Sequence, residues 1–381
     1  MVMAGRSPNP SPAPGMAAAR FLPRRRVVVA GGGLATAAGG DDGTLLRRLR
    51  RRGAGDGRPP RRRRVPEKLL YRTAGARPGE LRKLDRFSLL ALAASRQALA
   101  EAELQGEEIR RCGLLVGNMM AGWSFTEPQL RALHERGPEE VSPYLATAWF
   151  PAAPQGEVSI RLDLRGYSKT LTTDRCAAGQ AIGMALRRIS AGRSDLLLAG
   201  GVEAPVTPLV EAAAAALPGG PGWLAEAAGF LLLRAQARGG TRVAAYRSFA
   251  LSASSRPSQL AAELDPILGG EIRRPLLAVL CNVPPDGRLE GYAREAVERS
   301  LDGAPEVLLP TRLFGESLAA STALSTVLAH RLLAEAATSG TVLILSLGHQ
   351  CGDLLRLDRE GDGGGNGPSK PETKGGESCP Q

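Results

Sequence analysis

Residues Gly166–Pro208 read GYSKTLTTDRCAAGQAIGMALRRISAGRSDLLLAGGVEAPVTP. Within them, Gly179–Ala191 is a run of small and aliphatic residues with helical spacing, and Asp195–Ala199 (DLLLA) is a short apolar strand ending at Gly200-Gly201. A helix built from Ala, Gly and Ser lets neighbouring backbones come close, as expected of a helix held between two sheets. Gly166, Gly200 and Gly201 read as turn residues that need unusual φ.

The same alternation continues on both sides. Upstream, Arg26–Ala30 (RVVVA) reads as a buried strand followed by a turn at Gly31-Gly32-Gly33. A dinucleotide fingerprint fails there, because its third glycine would fall on Thr36 and no acidic residue follows at the required spacing. Asp85–Glu103 is an amphipathic helix with Phe87, Leu90, Ala91, Ala94, Ala98 and Ala102 on one stripe, and Cys112–Gly117 (CGLLVG) is a buried strand. Downstream, Arg242–Phe249, Pro275–Cys281 and Thr341–Leu347 read as strands, and Ser317–Glu335 as a long helix. Strands alternating with helices in both halves predict an α/β fold with layered sheets.

Composition narrows the function classes. At 381 residues and 43% hydrophobic, the chain can bury a sizeable core. Aromatics are only 4%, which argues against stacking platforms for single-stranded nucleic acid. No apolar run reaches the roughly 18 residues of a membrane span, and the N-terminus lacks an apolar signal core. A cytoplasmic protein is expected. The five cysteines are odd in number and never in CxxC spacing, so neither a disulfide framework nor a zinc site is expected, and no cofactor. Cys112, Cys281 and Cys351 read as small core residues. The net charge is +11, and Arg47–Arg64 contributes ten arginines against the single acid Asp56. Glycines and prolines interrupt that run, so it reads as a solvated loop rather than a recognition helix; nucleic acid is not an expected partner, and an acidic partner protein is the alternative. Residues 1–25 and 359–381 are low in complexity, and both are expected to be disordered.

The chain resembles the β-ketoacyl synthase family of the thiolase superfamily. Gly166–Pro208 is similar to the family's segment running from a strand through the catalytic cysteine into a buried helix. Asp85–Leu104 resembles its first long helix, and Ser142–Gly156 (SPYLATAWFPAAPQG) its dimer-interface segment. Glu226–Leu233 (EAAGFLLL) resembles its EGAGxLxLE strand, and Phe314–Leu324 (FGESLAASTAL) its GHxxxAAGxxE helix. The resemblance implies a thiolase-like five-layer αβαβα sandwich of two similar halves, here 26–240 and 241–358.

The departures from the family are as informative. Its condensing members use a cysteine nucleophile, two histidines and a lysine. By position the nucleophile is replaced by Arg175, with Cys176 one residue late. The histidine after glycine is replaced by Glu316, and the lysine by Thr311. The region of the other histidine, Val279–Glu290 (VLCNVPPDGRLE), has none. His134, His330 and His349 do not match the missing positions. A guanidinium with a pKa above roughly 12 is no nucleophile at neutral pH.

The resemblance therefore points to an inactive subunit, closest to the non-catalytic chain length factors of type II polyketide synthases. Such a subunit would form a heterodimer with an active ketosynthase and work with an acyl carrier protein. The alternative is a divergent active condensing enzyme or acyltransferase using Cys176. Trp149 and Phe150 fall where the family's interface segment reaches toward the partner's tunnel, and Met119 and Met120 are further candidates for its lining. Arg175 and Glu316, brought together in active relatives' sites, are expected to pair, because either charge buried alone is costly.

Overall fold

The computed structural model describes residues 25–359 apart from 40–43, 54–62, 78, 81–82, 217–222, 252–256, 269–273, 284–287, 302–304, 337–338 and 349. Nearly all of the two low-complexity termini, the centre of the Arg-rich stretch and His349 lie outside the described residues.

Ten strands carry the fold: β1 (Val27–Thr36), β2 (Gly113–Asn118), β3 (Ser168–Thr172), β4 (Leu196–Glu203), β5 (Ala227–Ala235), β6 (Thr241–Ala250), β7 (Leu276–Asn282), β8 (Glu306–Leu308), β9 (Gly340–Leu347) and β10 (Cys351–Arg359). Their order across the sheet is β3-β2-β4-β5-β1-β6-β10-β9-β7-β8. Read from its two outer edges inward, each half has the same order: third strand, second, fourth, fifth, first. β2 pairs parallel with β3 and β4, as β7 does with β8 and β9. β5 runs antiparallel between β4 and β1, as β10 does between β9 and β6. The two half-sheets meet at a short seam, Val28↔Arg242 and Val29↔Thr241.

Helices complete five layers. Arg86–Glu101 covers the outer face of the first half-sheet, with Phe87, Leu90, Ala94 and Ala98 packed on Leu114, Phe230 and Leu232. Ala177–Ser190 and Ala320–Glu335 lie between the half-sheets in one continuous core that includes Ile182, Leu186, Leu231, Leu324, Val327, Ile344 and Leu355. Pro257–Leu268 and Arg288–Ser300 cover the outer face of the second half-sheet. This is the thiolase-like αβαβα sandwich. The central helix Ala320–Glu335 is buried almost all round, which its small residues permit.

Three local expectations are corrected. Gly31–Gly33 is not a turn: β1 runs straight through it to Thr36. A Cβ at Gly31 would stand 2.2 Å from the Ala98 carbonyl oxygen, and one at Gly33 would stand 2.0 Å from that of Ala94, so these glycines let the Arg86–Glu101 helix lie directly on the strand. Gly200 and Gly201 likewise lie inside β4, and neither they nor Gly166 has positive φ. They too mark close backbone approach, a Cβ at Gly200 falling 1.9 Å from the Gly229 carbonyl oxygen. Finally, the Arg-rich stretch does not begin as a loop. Thr44–Gly53 is a helix whose Leu45, Leu46 and Leu49 are buried in the central core, while Arg50 reaches Glu306 at 3.1 Å on the surface.

Candidate functional site

β3 ends at Thr172, and a sharp turn through Thr173 and Asp174 delivers Arg175 and Cys176 to the start of the Ala177–Ser190 helix. Arg175 is 4% exposed. Facing it is Glu316, which follows Gly315 (φ 84°) at the end of a short Pro310–Phe314 helix and is fully buried. The Glu316 backbone is clasped by the segment before β5: its N–H donates to the Trp223 carbonyl at 2.7 Å, and its carbonyl accepts from Ala225 N–H at 2.8 Å. The structure brings the two predicted residues together, with Arg175 Nη1 2.5 Å from Glu316 Oε2. The contact is one-pronged. Glu316 Oε1 is taken by the Leu318 N–H at 2.6 Å, and Arg175 Nε and Nη2 are buried without hydrogen bonds.

A second buried acid, not foreseen from the sequence, stands behind this pair. Glu203, at the end of β4, accepts the backbone N–H of Met119 and, at 3.2 Å, that of Met120. Burial raises its pKa to about 8; the two amides partly offset this, and the Glu316 charge adds to it. The cluster thus holds two carboxyls and one guanidinium. Met119 and Met120 are half-buried against Val206, Val210, Leu224 and Leu318. Asn118 Nδ2 donates to the Pro151 carbonyl at 2.8 Å, tying the end of β2 to the segment that carries Trp149 and Phe150. Those two rings meet edge to face, 6.2 Å between centroids, and are 47% and 52% exposed. Thr311 is buried on the Pro310–Phe314 helix, its carbonyl accepting from Gly315 N–H at 2.9 Å.

Cys176 turns the other way. It is fully buried, with Sγ 3.5 Å from the Cys351 carbonyl oxygen and 3.9 Å from that of Ser346, both in the second half. The Cys351 neighbour, burial and the acids Asp353 and Asp174 push its thiol pKa far up. Cys351 is not the small core residue that its sequence suggests: it is half-buried and its thiol donates to Asp174 Oδ1 at 2.9 Å. Asp174, Cys176 and Cys351 form the one group of potential metal ligands among the described residues. Where the family's other histidine would follow β7, Asn282 instead joins a buried network: its Nδ2 donates to Ser346 Oγ at 3.1 Å, its Oδ1 accepts from Ser325 Oγ at 2.6 Å, and Thr322 Oγ1 lies 2.7 Å from Ser346 Oγ. Of the described histidines, His330 lies 3.5 Å from Glu101, and His134 is on the Trp123–Arg136 helix. Among the described residues, no thiol or hydroxyl at this site stands beside an imidazole.

The model of the beta-ketoacyl synthase N-terminal domain family matches residues 24–218. Nodulation protein E of Rhizobium sp. (strain N33) is 38% identical over 128 residues, 33% of this chain and 32% of that protein. The tetracenomycin polyketide synthase ketoacyl synthase beta subunit of Streptomyces glaucescens is 35% identical over 145 residues, 37% of this chain and 36% of that protein. These alignments span about a third of each curated relative's length. Among solved structures, a type II PKS acyl-carrier protein in complex with its ketosynthase bound to the hexaketide (AntDE:AntF) aligns with a TM-score of 0.71 at 25% identity, over 88% of this chain and 99% of that one. The ishigamide ketosynthase/chain length factor aligns at 0.71 and 20% identity, over 89% and 100%.

Proposed function

Because the chain belongs to the β-ketoacyl synthase family, we propose that it is a non-catalytic subunit of the chain length factor type. In this reading it pairs with an active β-ketoacyl synthase and shapes the tunnel in which a polyketide or fatty-acyl chain is elongated on an acyl carrier protein. The observation that carries the reading is the buried Arg175–Glu316 pair: by the resemblance these two stand where the family has its nucleophile and one histidine, a guanidinium is no nucleophile at neutral pH, and the carboxylate is tied up by the guanidinium and the Leu318 N–H. The exposed Tyr144, Trp149 and Phe150 on one segment offer the kind of aromatic surface that partner interfaces cover. The resemblance to a ketoacyl synthase beta subunit supports the same reading.

Catalysis through Cys176 is disfavoured. Its sulfur faces carbonyl oxygens of the second half, and a thiol raised this far supplies almost no thiolate at neutral pH.

The test is acylation. The purified chain is incubated with a radiolabelled acyl thioester, alone and together with an active ketosynthase from the same source. The expected result is label on the partner's cysteine only, with both chains eluting as one complex. Stable label on Cys176, or a chain that stays monomeric beside that ketosynthase, overturns the reading.

A further inference from the structure

We propose that Asp174, Cys176 and Cys351 form a binding site for a thiophilic divalent metal, zinc rather than magnesium or calcium, with the buried Asp353 carboxyl beside it. The proposal stands apart from the functional reading above and needs neither a partner nor a substrate. The carboxylate oxygen of Asp174 and the two sulfurs all lie within 4.8 Å of one another. Around a tetrahedral zinc, ligand atoms at about 2.0–2.3 Å from the metal stand roughly 3.3–3.8 Å apart, so the group needs only a small contraction. Two thiolates with carboxylates form a soft, mixed donor set, whereas magnesium and calcium select all-oxygen shells.

Asp353 is the independent observation. It is completely buried, it neighbours Cys176 and Asp174, and neither carboxylate oxygen has a hydrogen bond of ordinary geometry. Asp174 Oδ2 is also buried and unpartnered. The donors nearest Asp353 are Ser346 and the Cys176 thiol, neither in good hydrogen-bond geometry, and a cation among these oxygens and sulfurs would satisfy what they leave. Both carboxylates also sit against glycines that leave them room. A Cβ at Gly179 would fall 1.8 Å from Asp353 Oδ2, and one at Gly348 would fall 2.2 Å from Asp174 Oδ2. Cys351, only half-buried, gives the ion a way in.

The ligands come from both halves of the sandwich: Asp174 and Cys176 from the turn after β3, Cys351 from the start of β10, where Asp353 follows it. The ion would bridge the halves beside the Arg175–Glu316 pair. On binding, zinc replaces the two thiol protons, which leave to solvent. CxxC spacing tests only local sites, so ligands some 175 residues apart give no such signal.

The experiment uses the full chain, stripped with a chelator under reducing conditions, then reloaded with Zn²⁺ or Co²⁺ and desalted. The expected result is one metal per chain and a thiolate-to-cobalt charge-transfer band in the near ultraviolet. Asp353→Asn should weaken zinc affinity by about 10–100-fold. Cys351→Ser, at a half-buried position chosen so that the fold survives, should weaken it at least as much and reduce the band. Cys281→Ser, in the outer core of the second half, should change neither. Retention of less than about a tenth of an equivalent, an unchanged band in folded Cys351→Ser, or conversion of the two thiols to a disulfide that leaves no metal bound would overturn the proposal.

Discussion

The Arg175–Glu316 contact shows how two opposite charges can be tolerated in the core of the sandwich. Each group is all but sealed from water, and each is held by the other. Arg175→Met or Glu316→Gln alone should therefore lose about 3–5 kcal/mol, because the surviving charge is stranded. The double variant should lose less than the sum, and a double-mutant cycle by urea unfolding measures the difference. Additive losses would mean that Glu203, rather than Glu316, holds the guanidinium in solution. This pair was legible in the sequence because both residues fell on recognisable motif positions. Asn282 and Asp353 were not, since a polar residue at the end of an apolar run looks like any strand terminus; only the fold shows what each one meets.

At the scale of elements, glycine was the residue type most easily misread. β1 contains three in a row, and pattern alone favours a turn. What overrides it is the Arg86–Glu101 helix, whose carbonyls lie against the strand. Gly31→Ala or Gly33→Ala should cost about 1–3 kcal/mol or more by overpacking. Gly291→Ala, on the Arg288–Ser300 helix with nothing within 4 Å of the new Cβ, should gain about 0.5–1 kcal/mol. Urea midpoints of the three variants check the opposite signs. The segment ending in Trp149 and Phe150 makes a second prediction at this scale. If those rings meet the partner's tunnel, Trp149→Ala or Phe150→Ala should lengthen or blur the product distribution while the heterodimer persists in size-exclusion chromatography. Dissociation without any product change among surviving complexes would make them interface anchors only. β10 went unread for a different reason: its Gly, Asp and Arg residues break the apolar run, although eight backbone pairs to β9 and nine to β6 place it mid-sheet.

For the whole molecule, buried acids set the response to pH. Burial lifts Asp85, the cap of the Arg86–Glu101 helix, to about 6, even though Phe87, Ser124 and Phe125 donate to it. Burial likewise lifts Glu203 to about 8. Both values lie above those of the unfolded chain, near 4, so between about pH 4 and 8 the folded state binds more protons. Stability should then fall as pH rises through that window. Urea midpoints at pH 6 and 8.5 should show the drop, and Glu203→Gln should flatten its upper part; a midpoint that rises with pH would refute the assignment. The strand order has a consequence for synthesis as well. β10 follows β6 and β9 in the chain, yet it fills the place between β6 and β9. Until it emerges, the second half-sheet has a gap at its centre, and the two central helices have only one finished wall to rest on. A nascent chain must therefore wait, with its greasiest surfaces uncovered, for this strand, and holding chaperones would be needed most at that moment.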